Sequence, residues 1–402
     1  MSTGGLSKAR LARMNDVLAG YVERGQVPGM VALVSRRGEV HANAIGTMAA
    51  SAAGGGEPMR RDAIFRVASL TKPITAAAAM ILVEECKLRL DDPIDPLLPE
   101  LANRKVLRRL DGPLDDTVPA ARSITLRDLL TFRMGIGAVM AYPGQYPIQA
   151  AMDEAGVAPS PKPSSLEPDE WMKRLGALPL IHQPGEGWMY HTGSDVLGVL
   201  IARATGKPLK AFLRERIFEP LGMKDTGFYV PAEKLDRLPV SYETNPETGG
   251  LRVCDDPRDS RWSRPPVFPS GGGGLVSTAD DYLVFCQMML NKGRLGRERI
   301  LSRPSVELMT ADHLTPEQKA ENRIFFHDNS TWGFGVSVTL RRDDLAGVPG
   351  RFGWTGGTGT TAYSDPKEEM VGILMTQRYM DSPKPPGVFL DFWTLVYQAI
   401  DD

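Results

Sequence analysis

The spacing of apolar residues predicts long helices at both chain ends and one near the start of the chain. Residues 7–24 carry Leu11, Met14 and Leu18 at helical intervals, and residues 388–400 repeat the same kind of pattern. A third stretch, 70–87, is rich in alanine and uninterrupted by glycine. We expect an amphipathic helix from each terminal segment and a buried helix from the alanine-rich one.

Short runs of β-branched and apolar residues predict strands close to both chain ends. Two of them, 30–35 and 39–46, flank Arg37-Gly38, a typical hairpin turn. Further strand-like runs occupy 335–340, 360–364 and 371–377, whereas the middle of the chain has helical patterns at 125–131, 195–205, 209–218 and 277–290. The economical fold is one sheet built from both chain ends, with a helical domain inserted between them.

Composition places the chain among ordinary globular proteins. Its 402 residues are 42% hydrophobic and 24% charged, with a formal net charge of -2, so no basic surface for nucleic acid is indicated. No apolar run reaches the roughly 18 residues of a membrane span, and the first residues lack the apolar core of a secretory signal. Cys86, Cys254 and Cys286 are too widely spaced for a metal site. We expect a cytoplasmic protein with reduced thiols and no membrane partner.

Common cofactor and hydrolase motifs are missing. The chain has no G-x-S-x-G elbow, no Walker A loop and no H-E-x-x-H, and its five histidines show no ligand spacing. The glycine run 271–274 lacks a surrounding βαβ unit, so it favours a turn or a loop facing a site over a nucleotide-binding loop. Neither a metal nor an organic cofactor is implied.

An S-x-x-K pattern from Ser69 to Lys72 is the strongest chemical candidate. If Ser69 begins a helix, Lys72 lies one turn further on, where its amine can approach the serine hydroxyl. Serine needs an adjacent base, and burial would lower the lysine pKa enough to provide one. The alternative is a helix cap with a solvated lysine. A second match, 364–367, contains Pro366 and predicts a turn.

The surroundings of this pattern resemble the nucleophile segment of the serine β-lactamase-like family. Within that family, segment 65–76 is most similar to class C β-lactamases and family VIII carboxylesterases. Other segments follow in the family's order: 125–131, 184–192, 219–223, 271–278 and 354–357. The resemblance implies an α/β (α+β) fold in which a mainly antiparallel sheet is flanked by N- and C-terminal helices. It also implies a sheet domain from 1–68 and 291–402, a helical insert from 69–290, and an active site at their boundary.

The resemblance also assigns roles to individual residues. It implies that Ser69 is the nucleophile, Lys72 its activating partner and Tyr190 the second acid/base group. The backbone N–H groups of Ser69 and Gly357 would form the oxyanion hole. Gly356, with no side chain, would let substrate approach the strand closely.

Two departures from the family pattern favour an esterase. Trp354 replaces the lysine of the third motif, so the cation that anchors a β-lactam carboxylate is missing and a wide apolar face takes its place. Thr192 replaces the asparagine of the second motif. Trp354, Thr355, Gly356 and Thr192 are the expected substrate-binding residues. His191 directly follows Tyr190, so we expect it to point away and to be structural.

The resulting hypothesis is a serine carboxylesterase that hydrolyses short- to medium-chain esters through an acyl-enzyme, with a small-molecule ester as its partner. A β-lactamase, a D-amino-acid peptidase, an acyltransferase and, more remotely, a catalytically silent binding homologue stay open. The identity of the first base, Lys72 or Tyr190, also stays open, as does the oligomeric state. Several aromatic residues are either pocket walls or plain core: Tyr142, Trp188, Phe325, Phe326 and Trp332.

Overall fold

Helices form both chain ends and most of the middle of the chain in the computed structural model, which describes residues 4–50, 56–160 and 164–402. They are α1 (Lys8–Glu23), α2 (Thr71–Glu84), α3 (Leu126–Leu130), α4 (Pro147–Ala155), α5 (Pro168–Ala177), α6 (Thr192–Thr205), α7 (Leu209–Leu213), α8 (Glu219–Leu221), α9 (Ala279–Leu290), α10 (Arg303–Met309), α11 (Pro316–Glu321), α12 (Arg323–Phe326) and α13 (Gly387–Gln398). None of the helices in these ranges has the length and apolar character needed to cross a bilayer.

The strands form one large antiparallel sheet and several two-stranded pairs. They are β1 (Gly29–Arg36), β2 (Glu39–Gly46), β3 (Phe65–Arg66), β4 (Lys105–Leu107), β5 (Thr117–Pro119), β6 (Ser241–Thr244), β7 (Leu251–Asp255), β8 (Val276–Ser277), β9 (Arg294–Leu295), β10 (Glu298–Arg299), β11 (Ser330–Trp332), β12 (Ser337–Thr339), β13 (Phe352–Gly356), β14 (Thr360–Asp365) and β15 (Met370–Thr376). The large sheet has the order β11-β12-β13-β14-β15-β1-β2. Strand β1 pairs with β15, with Val31 opposite Met375, so the two chain ends meet inside one sheet as the sequence predicts.

The two faces of the sheet bury different sets of side chains. Strand β1 is buried along its whole length, and its residues alternate between two hydrophobic cores. Val31 and Leu33 face the core that contains α2 and α9, whereas Ala32 and Val34 face the core formed with α1 and α13. This double burial explains why β1 has a continuous apolar sequence rather than an alternating one.

Most predicted helices and strands are confirmed, with small shifts at their ends. The alanine-rich helix starts at Thr71 rather than residue 70, because Ala68–Leu70 forms a 3-10 turn before it. The acidic Asp128 three residues after Thr125 predicts a cap at the start of α3, and the structure confirms it: the Thr125 hydroxyl accepts from the Asp128 N–H, and the Asp128 carboxylate accepts from the Thr125 N–H. The predicted strand 335–340 is shorter than expected. Gly335 has φ +73°, where an added Cβ would lie 2.8 Å from the Lys72 carbonyl oxygen.

The division of the chain into 1–68 with 291–402 and 69–290 stays a prediction. Helix α9 lies within 69–290, yet it packs on strands β1, β14 and β15 of the sheet. The short pair β3–β8 joins the segment before Ser69 to the segment after the glycine run, with Phe65 opposite Ser277. The composition of 54–58 and of the Pro- and Ser-rich stretch 158–168 predicts loops, and parts of both lie outside the described residues.

Candidate active site

Ser69 lies in a tight turn between a strand and the buried helix α2. The turn follows β3, and Ala68 has φ +42°, an uncommon conformation for a residue with a side chain. The Val67 N–H donates to the Leu275 carbonyl, which fixes the backbone just before the turn. Ser69 is 8% exposed and lines a cavity of about 860 Å³, so its hydroxyl faces a space large enough for a substrate.

Lys72 is fully buried, one turn after Ser69 on the same side of the helix. Its Nζ lies 2.9 Å from Ser69 Oγ, 2.6 Å from the Gly272 carbonyl oxygen and 3.1 Å from His191 Nδ1. Burial lowers the pKa of Lys72 from 10.5 to about 7, although the charge of Asp195 acts in the opposite direction. A solvated lysine is therefore excluded, and an amine that is partly neutral at neutral pH lies beside the serine hydroxyl.

Tyr190 covers the other side of Lys72. The Lys72 Nζ lies 4.7 Å from the centre of the Tyr190 ring, and the phenol oxygen accepts a hydrogen bond of 2.6 Å from Trp354 Nε1. Burial raises the pKa of Tyr190 to about 12, while hydrogen bonds with Ser69 and Trp354 partly offset it. At neutral pH the phenol therefore keeps its proton, which suits a proton donor.

His191 does not point away from the site, so the prediction for this residue is wrong. Its Nδ1 contacts Lys72, and its Nε2 lies 3.0 Å from Asp195 Oδ2. The backbone explains the difference, because His191 has φ +84° where α6 begins and the chain turns both Tyr190 and His191 towards Lys72. The sequence held one usable signal: His191 and Asp195 are four residues apart at a helix start, a spacing that brings side chains together.

The glycine run 271–274 faces the site, as one of its two interpretations predicted. Gly272 accepts from Lys72 through its carbonyl and donates its N–H to Asp195 Oδ1 over 2.9 Å. Ser270 donates to the same Asp195 oxygen over 2.5 Å. A Cβ on Gly271 would lie 2.4 Å from the Ser194 carbonyl oxygen, so this loop can pack against α6 only without a side chain there.

The predicted substrate-binding residues are only partly at the cavity. Trp354, Thr355 and Gly357 line it, and a side chain at Gly357 would meet no atom within contact distance. Gly356 and Thr192 do not belong to its lining as the described residues define it. A Cβ at Gly356 would lie 2.3 Å from the Val67 carbonyl oxygen, so this glycine lets β13 approach the chain's own backbone beside Ser69. Its expected role in substrate binding stays a prediction.

Thr192 is 2% exposed at the first position of α6, so its side chain is packed inside the protein. The motif position alone gave it a role in substrate binding, and that role stays a prediction.

Aromatic residues surround Tyr190 and divide into wall and core. Phe325 is half-buried and lines the cavity, and its ring centre lies 5.1 Å from that of Tyr190 in a tilted arrangement. Tyr142 is 83% exposed and lies outside the lining. The remaining members are buried core beneath Tyr190 and Trp354: Phe132, Trp188, Phe326 and Trp332.

Elsewhere in the described ranges, His, Cys, Asp and Glu form no group suited to hold a metal ion. The site brings together a serine, a lysine with a lowered pKa, a protonated phenol and a His–Asp pair beside the cavity. Such a set fits covalent catalysis on an acyl group.

Comparison with known proteins agrees with this class of site. The model of the Beta-lactamase family matches residues 14–386, so the chain belongs to the β-lactamase family and has its β-lactamase/transpeptidase-like fold. The resemblance found in the sequence is thereby confirmed.

The relatives include proteins named as esterases and hydrolases. An uncharacterized protein of Mycobacterium tuberculosis is 39% identical over 370 residues, covering 89% of this chain and 88% of its own. Esterase EstB of Burkholderia gladioli is 32% identical over 398 residues, covering 93% and 92%. Among solved structures, "EstCE1, a hydrolase with promiscuous acyltransferase activity" superposes with a TM-score of 0.80 at 25% identity, covering 97% of this chain and 99% of its own. These relatives support an enzyme of the serine esterase class.

Proposed function

We propose that the protein is a carboxylesterase that cleaves short- to medium-chain esters through an acyl-enzyme on Ser69. The observation that carries this proposal is the 2.9 Å distance between Ser69 Oγ and Lys72 Nζ, with Ser69 lining the cavity. The amine is fully buried, and its pKa is lowered to about 7. A base with a pKa near the working pH is the most effective one for general base catalysis.

In the first half of the reaction, neutral Lys72 takes the Ser69 proton while Oγ forms a bond to the ester carbonyl carbon. The N–H groups of Ser69 and Gly357 would hold the oxygen that becomes negative. As the C–O bond of the ester breaks, the Tyr190 phenol gives its proton to the departing alkoxide. Lys72 is the first base in this scheme because its pKa lies near 7, whereas that of Tyr190 lies near 12.

The second half restores the protonation state of each residue. The Tyr190 phenolate takes a proton from water as the water oxygen attacks the acyl carbon, and the Lys72 ammonium then protonates Ser69 Oγ as it leaves. The ammonium, 4.7 Å from the Tyr190 ring centre, stabilises the phenolate between the two halves. Acid, alcohol and unchanged enzyme are the products, so the cycle balances.

The substrate preference follows from the wall opposite Ser69. Trp354 and Phe325 present aromatic surface to the cavity where a β-lactamase of this family would present a cation. Apolar acyl groups gain from contact with such a surface, whereas a β-lactam carboxylate finds no charge at position 354. A silent binding homologue is disfavoured because the serine, the lysine and the phenol are all in contact.

The test compares p-nitrophenyl butyrate with nitrocefin for the wild type, Ser69→Ala and a matched control, Ser364→Ala. Ser364 opens the second S-x-x-K match but lies buried in β14, with Lys367 in the turn that follows. We expect ester hydrolysis to fall at least about 10³-fold in Ser69→Ala and to be unchanged in Ser364→Ala, with slow nitrocefin turnover throughout. Fast nitrocefin turnover would favour the β-lactamase, and Ser69-independent activity would refute the proposal.

Acyl transfer to an alcohol is a second candidate function, supported by the size of the cavity. It extends from Ser69 past Trp171 and Phe268 and holds about 860 Å³, which leaves room for an alcohol beside an acyl-enzyme. The relative EstCE1 is itself described as a hydrolase with acyltransferase activity. Added 1-butanol would then divert butyrate from acid to butyl butyrate, measured by gas chromatography; an unchanged acid yield in the presence of butanol would exclude the transfer.

A further inference from the structure

Among the described residues, Lys72 has three polar neighbours, of which one can only accept a hydrogen bond and two can either accept or donate. A neutral amine offers two N–H donors and one lone pair. The Gly272 carbonyl oxygen, 2.6 Å away, can only accept. Ser69 Oγ, 2.9 Å away, can donate or accept. The remaining neighbour, His191 Nδ1 at 3.1 Å, accepts or donates according to which ring nitrogen carries the hydrogen.

Asp195 decides the state of the His191 ring. Its Oδ2 lies 3.0 Å from His191 Nε2, and its Oδ1 accepts from Ser270 and from the Gly272 N–H. These bonds outweigh burial and keep the pKa of Asp195 below its ordinary value, so the carboxylate is ionised and can only accept. Burial first, and then the Lys72 charge, lowers the pKa of His191, so the ring is neutral and has one N–H.

The single ring hydrogen therefore belongs on Nε2, towards Asp195, and Nδ1 presents a lone pair to Lys72. Both N–H groups of neutral Lys72 then have fixed acceptors, Gly272 and His191. The lysine lone pair has only the Ser69 hydroxyl left to accept from, which is the arrangement a general base needs.

We propose that His191 and Asp195 are positioning residues: Asp195 fixes the tautomer of His191, and His191 in turn directs the lone pair of Lys72 to Ser69. This inference rests on the proposed function, because it assigns Lys72 as the first base. The backbone supports it independently. His191 is held at φ +84°, a strained conformation for a non-glycine residue, and such strain concentrates where a side chain must be aimed.

Variants of His191 separate orientation from packing. In His191→Asn the amide Oδ1 is attached to Cγ as Nδ1 is in histidine, so an acceptor for Lys72 is kept. In His191→Leu the volume is kept and the acceptor is lost. We expect kcat for p-nitrophenyl butyrate to fall roughly 10²-fold in His191→Leu and less than about tenfold in His191→Asn. The matched control, His313→Leu, removes a histidine that stacks on Phe334 outside the site and should leave kcat unchanged.

Asp195→Asn tests the tautomer itself. Its Oδ1 can still accept from Gly272, but its NH₂ group then faces His191 Nε2, which must accept. The ring hydrogen moves to Nδ1 and is donated to the Lys72 lone pair. That lone pair can then no longer accept the hydrogen bond from Ser69. We expect a loss of about 10²-fold in kcat, comparable to His191→Leu. In the His191→Asn background no imidazole remains to change tautomer, so Asp195→Asn should lower kcat less than about tenfold.

The pH profile gives a readout that a packing defect would not move. The ionisable groups that face Lys72 and His191 are each other, Asp195 and Tyr190. Losing the acceptor in His191→Leu, or the Asp195 charge in Asp195→Asn, removes a stabiliser of the ammonium. The acidic limb of kcat/KM should therefore move to lower pH in both variants while the plateau falls, and stay near its wild-type position in His191→Asn.

The outcomes are separable. Full activity with an unmoved acidic limb in folded His191→Leu overturns the positioning role, as does a His191→Asn variant no better than His191→Leu. Equal losses from Asp195→Asn in both backgrounds overturn the tautomer argument. If His191→Leu fails to fold, by circular dichroism, the two asparagine changes still decide. Ester hydrolysis that persists in Ser69→Ala, in contrast, refutes the proposed function and not the geometry around His191.

Discussion

Two sides of Lys72 position the same amine by different means. On one side lies the ring of Tyr190, which is itself packed against Trp354 and Phe132. On the other lie His191, Asp195 and Gly272, which fix the amine through hydrogen bonds. Burial, to which the aromatic rings contribute, lowers the pKa of Lys72, and the Asp195 charge on the polar side limits that fall. Together the two sides leave the amine with a pKa of about 7 and hold it against the Ser69 hydroxyl.

The comparison shows that pKa and direction are separate requirements for a base. A buried lysine with only aromatic neighbours would be neutral but free to rotate, since ring faces give weak directional preference. A lysine with only polar neighbours would be well oriented but protonated at neutral pH. The site therefore needs both sets of neighbours, and substitutions can weaken each set separately.

The largest effect is expected when the amine between the two sides is removed. Lys72→Met keeps the length of the side chain but has no base, so ester hydrolysis should fall about 10³-fold or more.

The folded pKa of Lys72 lies near 7, well below its ordinary 10.5. The unfolded chain thus binds an extra proton between these values, and wild-type stability should rise with pH from about 7 to 10.5.

Because that cost of burying an ionisable amine is absent in Lys72→Met, the variant should be at least as stable as the wild type at pH 7, and its stability should lose the rise between these pH values. Chemical denaturation at several pH values measures both effects. A variant that is less stable at pH 7, with the same pH dependence as the wild type, would contradict the assignment of a low lysine pKa.

A smaller effect is expected when the aromatic side loses its phenol. Tyr190→Phe keeps the ring over Lys72 but has no proton for the leaving alcohol, so ethyl butyrate turnover should fall about 10²-fold. The p-nitrophenolate of p-nitrophenyl butyrate leaves without protonation, so kcat/KM for this ester should fall much less. The comparison is made on kcat/KM, which reports the acylation half and not the hydrolysis of the butyryl-enzyme that both esters share. Steady-state kinetics with the two esters checks this, and equal losses for both would argue against a proton donor at position 190.

The smallest effect is expected from the indole that bonds the phenol. Trp354→Phe removes the 2.6 Å hydrogen bond to the Tyr190 oxygen and keeps an aromatic wall. Since this bond lowers the pKa of Tyr190, its loss should make the phenol a weaker acid and reduce ethyl butyrate turnover about five- to tenfold. If the activity of Trp354→Phe matched that of the wild type, the indole would serve as a wall only.

Features that depend only on neighbours along the chain could be predicted from the amino-acid sequence. The periodicity of α1 and α13 and the Thr125 cap of α3 are local patterns, and the structure has each of them. The S-x-x-K spacing is local too, because one helical turn separates its two ends. The ordered motifs identified the family before any geometry was known.

The residues that surround Lys72 could be identified only from the folded structure. His191 reaches it because its backbone adopts φ +84°, which no periodic pattern predicts. Gly356 proved to face Val67 and Thr192 proved to be buried, which their motif positions did not predict. The pKa of a lysine depends on every segment packed over it, and those segments are distant in sequence. Chain-local patterns fix elements and spacing, whereas burial and direction are properties of the assembled fold.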